Sequence, residues 1–92
     1  MNSTAFASLG DVSVYPNPAT SQVAVSVKLN RVHQHVGYRL LDISGRVVYQ
    51  LDKTNIQDDK FIIPTDAVSP GIYHVVFIAD DELTTRQVVI AR

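Results

Sequence analysis

Apolar and polar side chains alternate with a period of two along much of the chain. The segment Gln22–Leu29 shows the pattern most clearly, because its odd-numbered residues are apolar and its even-numbered residues are polar or small. Successive side chains of a β-strand point to opposite faces, so this alternation predicts a strand with one buried and one solvated face. A helical period of 3.6 residues is sustained nowhere in the sequence, and the pattern therefore predicts an all-β protein.

Prolines, glycines and polar runs divide the apolar segments into about seven short strands, the number typical of an immunoglobulin-like domain. Ser44-Gly45 is a glycine-containing two-residue turn compatible with a β-hairpin. The polar segments Asn30–His35 and Asp52–Asp59 are predicted to be connections. The predicted strands are Val12–Tyr15, Gln22–Leu29, Tyr38–Ile43, Arg46–Leu51, Phe61–Ile63, Gly71–Ala79 and Leu83–Ala91. The predicted fold is an immunoglobulin-like antiparallel β-sandwich.

The strand Gly71–Ala79 is apolar on both faces, which a two-layer sandwich does not require. Tyr73, Val75 and Phe77 form one face, while Ile72, Val76 and Ile78 dominate the other. The end of Leu83–Ala91 repeats the feature. Two explanations remain open: loops or the N-terminal tail cover the second face, or an exposed patch or sheet edge binds a partner.

Charge and composition exclude several classes of function. Eight Lys and Arg residues face nine Asp and Glu residues, for a net charge of −1, so we predict no nucleic-acid partner. The absence of cysteine excludes disulfides and thiolate chemistry. No apolar stretch approaches the roughly 20 residues of a membrane-spanning helix, and the first residues lack the basic start and apolar run of a signal peptide. We expect no membrane insertion and no Sec signal at the front of the chain.

Side chains suited to catalysis or metal binding are sparse. His33 and His35 lie two residues apart, but without a nearby third ligand they predict no metal site. His74 stands among apolar residues, with no serine or carboxylate spaced for a proton relay. Asp58-Asp59 and Asp80-Asp81-Glu82 lack the alternating ligands and glycine of a calcium loop, so they are predicted to be solvated turns. We predict no catalytic residue, no metal, no cofactor and no enzymatic activity.

Several short motifs follow one another in a characteristic order. They are Val14-Tyr15-Pro16-Asn17-Pro18, Leu41-Asp42-Ile43-Ser44-Gly45-Arg46-Val47-Val48, Pro70-Gly71-Ile72-Tyr73-His74-Val75 and Arg86-Gln87-Val88-Val89-Ile90. As an ordered set they resemble the type A C-terminal sorting domain of the type IX (Por) secretion system. The resemblance extends from about Val12 to Arg92, and Arg86 stands where that family often has lysine.

The resemblance implies a secretion and sorting signal. Such domains direct a fused N-terminal cargo, after Sec-dependent passage into the periplasm, through the type IX outer-membrane translocon, with an outer-membrane shuttle and a sortase as further partners. The sortase usually removes the domain and joins the cargo to anionic lipopolysaccharide, which leaves the cargo at the cell surface or outside the cell. The alternative function is a stand-alone adhesion or carbohydrate-binding β-sandwich.

The resemblance also divides the chain and its residues into roles. Residues 1–10 are predicted to be a linker or tail and residues 11–92 the sorting domain, with cleavage at an undetermined position at or before Asp11. Structural roles are expected for the motif residues: backbone conformation for Pro16, Asn17, Pro18, Gly45 and Gly71, core packing for Tyr73, and a structural role of unspecified kind for Tyr15 and Arg46. The candidates for recognition by the translocon are Val88, Val89, Ile90, Ala91 and Arg92.

Overall fold

A computed structural model of the chain describes residues 10–16 and 18–91. The predicted tail before Gly10, the motif residue Asn17 and the candidate Arg92 lie outside the described residues. The strands are β1 (Gly10–Tyr15), β2 (Gln22–Leu41), β3 (Val47–Pro64), β4 (Gly71–Ala79) and β5 (Glu82–Ile90). This confirms the all-β prediction. No helix in the described ranges is long and apolar enough to span a membrane.

All of the pairings between the described strands are antiparallel, and three of the four involve β2. The strand order is β1-β2-β4-β5, and β3 pairs with β2 as well. The first half of β2 pairs with β1 and with the end of β3, whereas its second half pairs with β4 and with the start of β3. One long strand therefore belongs to both parts of a curled sheet.

The prediction of seven strands was wrong, and the structure does not confirm a seven-stranded immunoglobulin-like sandwich. The two polar segments that were predicted to be connections, Asn30–His35 and Asp52–Asp59, lie within β2 and β3. They pair with each other where the β2–β3 ribbon bends, through His33 with Ile56 and His35 with Thr54. Their polar side chains are mostly exposed on the outside of this bend, so the loss of apolar alternation marked a corner rather than a loop.

The corner combines two irregularities of the backbone. The β2–β3 register shifts between Lys28 and His33, and Asn55 takes a positive φ of 56°. A bulge leaves a residue unpaired and bends its strand. Before the shift the buried residues of β2 that form the core are mainly odd-numbered (Val23, Val25, Val27, Leu29), and after it they are even-numbered (Val36, Tyr38, Leu40). The change of parity keeps the same face of the ribbon on the core.

A polar cluster joins the two halves of the bent ribbon. The Asp59 carboxylate accepts hydrogen bonds from the Tyr38 hydroxyl at 2.6 Å and from the Lys53 Nζ at 2.8 Å. Lys53 and Asp59 would lie about 20 Å apart in a straight strand, so only the bend brings them together. Asp59 was predicted to lie in a solvated turn, and this was wrong because its carboxylate is occupied by these two donors.

The core lies between the two parts of the curled sheet. Tyr38 and Phe77 are its largest fully buried side chains, and their ring centroids are 5.2 Å apart in an edge-to-face arrangement. The aliphatic members are Val12, Val23, Val25, Val27, Leu29, Val36, Leu40, Ile63, Val75, Val88 and Ile90. Burial of this apolar surface is the main stabilising contribution to the fold.

The strand directions give the domain two distinct ends. We call one the motif end, formed by Pro16, the connecting segments 18–21, 42–46 and 65–70, and Ala91. We call the other the corner end, formed by Gly10, the bent parts of β2 and β3, and the β4–β5 turn at Asp80 and Asp81. Hydrogen bonds between Asp80 and His35 join this turn to the bend, at 2.7 Å between backbones and 3.1 Å to the Asp80 carboxylate.

Candidate docking surface

The sequence motifs, which are far apart in the chain, meet at the motif end. Leu41, at the end of β2, pairs with His74, and Gly71 pairs with Ile90 of β5. Ala19, just after the proline motif, forms a parallel bridge with Ile90. The Ala19 N–H donates to the Val89 carbonyl at 2.8 Å, and its carbonyl accepts from the Ala91 N–H at 2.7 Å. The segment that follows the proline motif is thus joined directly to the end of β5.

The turn between β2 and β3 is organised by one carboxylate. Asp42 accepts hydrogen bonds from the Ser44 hydroxyl at 2.6 Å, the Ser44 N–H at 3.0 Å, the Arg46 N–H at 3.0 Å and the Arg46 Nε at 3.2 Å. The pKa of Asp42 is lowered, chiefly by the bond from the Ser44 hydroxyl and then by that from the Arg46 backbone. Arg46 thus helps to hold the turn that contains it. Ile43, by contrast, is 77% exposed.

Gly45 supplies the backbone conformation that this turn needs, with a φ of +89°. An added Cβ would meet no atom within 4 Å, so the cost of a side chain there is conformational rather than steric. We expect Gly45→Ala to lower the free energy of unfolding by about 1–2 kcal/mol. Urea unfolding followed by far-UV circular dichroism checks this. Gly45→Asn should cost less, because asparagine tolerates positive φ better, and equal stability of all three proteins would contradict the argument.

The remaining motif residues lie close by, in different environments. Tyr73 is buried, and its hydroxyl donates to the Ser69 carbonyl at 2.6 Å, which ties the start of β4 to the preceding loop. Tyr15 is half-exposed, with the Lys60 Nζ 5.6 Å from its ring centroid. Pro16 and Pro18 are exposed, whereas Ala19 is completely buried.

The candidate recognition residues alternate between the core and the surface. Val88 and Ile90 are buried, with 0% and 1% exposure, and belong to the core. Val89 points the other way and is 36% exposed, and Ala91 is partly exposed. In the folded domain a partner therefore has access to Val89 and Ala91, while Val88 and Ile90 fix the position of the strand.

The outer face of the β4–β5 hairpin is apolar and open to solvent at both ends. Ile72 pairs with Val89 at the motif end, and Ile78 pairs with Leu83 at the corner end. Leu83 is 60% exposed and Ile72 is 41% exposed, while Ile78 is half-buried. Of the two explanations for this apolar face, the described residues favour an exposed patch.

The structure does not bring the histidines together into a metal site. His33 is buried, with its Nδ1 3.0 Å from the Arg31 carbonyl, whereas His35 and His74 retain some exposure at separate positions. Within residues 10–16 and 18–91, no group of three His, Asp or Glu side chains is placed to hold a metal ion. A cleft of about 310 Å³ lies near Gly37, but its Arg39 is already paired with Asp52 at 2.9 Å.

Sequence reasoning missed two residues of this surface. Ala19 received no role in the sequence-based prediction, and nothing in the local sequence signals its bridge to Ile90, about seventy residues later. Ile43 was assigned to the end of a strand, although an aliphatic residue beside a turn signal was an available sign of exposure.

Comparison with known proteins agrees with the motifs that meet at this end of the domain. No curated protein matches the chain. A family model described as a secretion system C-terminal sorting domain matches residues 13–91, a range that includes every strand from β2 to β5 and the second half of β1. The chain belongs to the family of C-terminal sorting domains of the type IX secretion system.

Proposed function

We propose that residues 11–92 carry an N-terminally fused cargo through the type IX outer-membrane translocon, and that the machinery recognises the outer face of the β4–β5 hairpin beside the C-terminal residues. Family membership makes the chain a C-terminal sorting signal of a secreted or cell-surface protein. The proposal adds a periplasmic stage in transit, contact with the outer-membrane shuttle, removal by a surface sortase at or before Asp11, and attachment of the cargo to anionic lipopolysaccharide.

One observation carries the choice of surface. Ile72 of β4 and Val89 of the edge strand β5 form an exposed aliphatic pair, two residues before Ala91. A self-contained domain gains nothing in stability from leaving such a pair in water, because burial of apolar area is favourable. Exposed apolar patches of this kind are typical of protein interaction sites.

Carbohydrate binding, the alternative function, has less support. Sugar-binding modules present aromatic rings on which a sugar can stack, and the sequence contains no tryptophan. Among the described tyrosines, Tyr38 and Tyr73 are buried and Tyr49 is half-buried, while Tyr15 is beside Lys60. We also propose that the domain has no catalytic activity of its own, because recognition requires a stable frame and a complementary surface but no reactive group.

The test is export of a reporter. Residues 1–92 are fused behind a Sec-exported fluorescent protein in a host that has a type IX system. The expected result is reporter at the cell surface in shortened form. Removal of Val88–Arg92 should leave it in the periplasm, but this deletion also removes two core side chains, so we expect it to destabilise the domain as well.

The sharper variant is Val89→Asp, which places a charge on the exposed face and leaves Val88 and Ile90 in the core. We expect periplasmic retention of this fusion together with an unchanged melting temperature of the isolated domain, within a few degrees. Thr85→Asp, also exposed on the outer face of β5, is the matched control and should be exported. Normal surface delivery of the Val89→Asp fusion would show that the hairpin face is not the recognised surface.

A further inference from the structure

The apolar pair Ile72 and Val89 is part of a longer row that crosses four strands. Residues paired in register point to the same face of a sheet. His74, two residues after Ile72 in β4, pairs with Leu41 of β2, and Leu41 pairs with Val47 of β3. We call Leu41, Val47, Ile72, His74 and Val89, together with Ile43 in the adjoining turn, the apolar strip.

The members of the apolar strip are accessible and carry no acidic, lysine or arginine side chain. Ile43 and Val47 are exposed to 77% and 45%, and Leu41 and His74 are partly exposed. The nearby Arg46 side chain is paired with Asp42 at 3.2 Å. Asp42 and Asp66 lie in the connecting segments of the motif end, while the other seven acidic side chains lie towards the corner end: Asp11, Asp52, Asp58, Asp59, Asp80, Asp81 and Glu82. The apolar strip therefore suits a partner surface of uncharged aliphatic side chains.

The path of the chain keeps the apolar strip free of the cargo. Gly10, the first described residue, pairs with Leu29 at the corner end, and β1 runs from there to Tyr15 at the motif end. Everything N-terminal to Gly10 joins the domain at the end opposite the apolar strip. A large folded cargo on that side would not obstruct a partner at the motif end.

The backbone edge of β5 beside the apolar strip is less available to a partner than the side chains of the apolar strip are. At the last residues of β5, Ala19 already takes up the Val89 carbonyl and the Ala91 N–H. A partner strand adding to β5 at these residues would have to displace the segment that contains Ala19. That segment is held further by the hydrogen bond from the Thr65 N–H to the Ser21 carbonyl, at 3.0 Å.

We infer that the recognised surface is the whole apolar strip, including Ile43 and Val47 of the β2–β3 turn, and that it docks side chain against side chain with an uncharged aliphatic surface of the type IX machinery rather than by strand addition to β5. The inference rests on the proposed function, which on its own requires only the C-terminal hairpin. It gives the turn between β2 and β3 a part in binding.

Two exposed aliphatic residues provide a matched pair for the test. Ile43→Asp alters the apolar strip in the β2–β3 turn, and Leu83→Asp introduces the same charge on the outer face of the β4–β5 hairpin at the corner end. Neither side chain belongs to the core, so both domains should melt within a few degrees of the parent. We expect surface delivery of the Ile43→Asp reporter to fall about tenfold or more, as loss of one buried aliphatic contact implies, and that of Leu83→Asp to stay at the parent level.

A third variant separates side-chain docking from strand addition. Backbone groups of Thr85 have the same orientation as those of Val89, away from β4, so Thr85→Pro removes an outward N–H without breaking the β4–β5 ladder. Export of the Thr85→Pro fusion at the parent level supports side-chain docking. Its retention, with the domain still folded, would overturn that part of the inference.

The outcomes distinguish this inference from the proposed function. If the parent fusion is not exported, the proposed function itself fails. If the parent is exported and Val89→Asp is retained, but Ile43→Asp is delivered normally, the hairpin alone is recognised and the apolar strip is refuted. If the isolated parent domain is a dimer that Ile43→Asp converts to a monomer in light scattering, the occupant of the apolar strip is a second copy and the inference is overturned.

Discussion

Phe77→Ala should leave the domain with little or no stability. Phe77 is completely buried in β4, with its ring against that of Tyr38, and truncation of a buried phenylalanine costs about 3–5 kcal/mol. Domains of this size are stable by only about 5–15 kcal/mol. The loss combines the transfer free energy of the ring with the cavity it leaves, at the point where the two parts of the curled sheet meet.

Urea unfolding followed by circular dichroism measures the effect of Phe77→Ala. Leu83→Ala is the control, because Leu83 is aliphatic, lies in the same hairpin and is largely exposed, and it should change the free energy of unfolding by no more than about 0.5 kcal/mol. If the two variants were destabilised equally, the inward and outward faces of the hairpin would be assigned wrongly.

Tyr38→Phe should change how the domain responds to alkaline pH. Burial raises the pKa of Tyr38, and the hydrogen bond and negative charge of Asp59 raise it further. The pKa of an unfolded tyrosine is about 10. In the folded domain Tyr38 stays protonated above that pH, because its pKa is raised. The stabilising contribution is therefore fully present below the unfolded pKa and is lost as the pH rises towards the folded pKa, at about 1.4 kcal/mol per pH unit for one proton.

The comparison of Tyr38→Phe with the parent isolates this proton from those of the other tyrosines. At neutral pH the variant should be less stable by about 1–3 kcal/mol, because Asp59 loses a donor. As the pH rises above the unfolded tyrosine pKa of about 10, to about pH 11.5, the variant should lose less stability than the parent. Urea unfolding at three pH values decides the matter, and parallel losses in both proteins would show that Tyr38 ionises freely in the folded state.

Asp59, in the same cluster, gives the stability of the domain the opposite dependence on pH. Partial burial alone would raise the pKa of Asp59, but the hydrogen bonds from Lys53 and Tyr38 outweigh it and lower the pKa below its ordinary value. The stability that this carboxylate contributes is present above the unfolded pKa of about 3.9 and is lost as the pH falls through the folded pKa. The cluster thus contributes most to stability between mildly acid pH and the ionisation of tyrosine.

The strands could be predicted from the sequence where one face is apolar, but the bend could not. Gly71–Ala79 was assigned to the residue and Gln22 was assigned correctly as the start of β2, because alternation reports directly which face is buried. Around His33 and Asn55 the ribbon passes over the corner of the core, so that most of the side chains face water and the alternation disappears. Such a stretch has the same composition as a loop, and only the pairing between β2 and β3 identifies it as strand.

The family could also be predicted from the sequence, but the arrangement of the site could not. The motif residues between Tyr15 and Tyr73 fall inside the matched range 13–91. Each motif is a short run of consecutive residues, so it can be recognised without knowledge of the fold. Val88 and Ile90 are buried while Val89 is exposed, and this difference depends on which face of β5 meets the core. The part played by Ala19 depends on a contact between the two ends of the described chain, which no local pattern encodes.

The bridge between Ala19 and the end of β5 also bears on when the domain can fold. Its partners are separated by most of the chain, and the entropy of closing so long a loop must be offset before the contact contributes any stability. During synthesis and translocation the segment around Ala19 emerges first and must wait for residues 89–91. The native seam therefore forms only after β5 has emerged, so that a domain with this seam intact is one whose chain is available at least as far as residue 91.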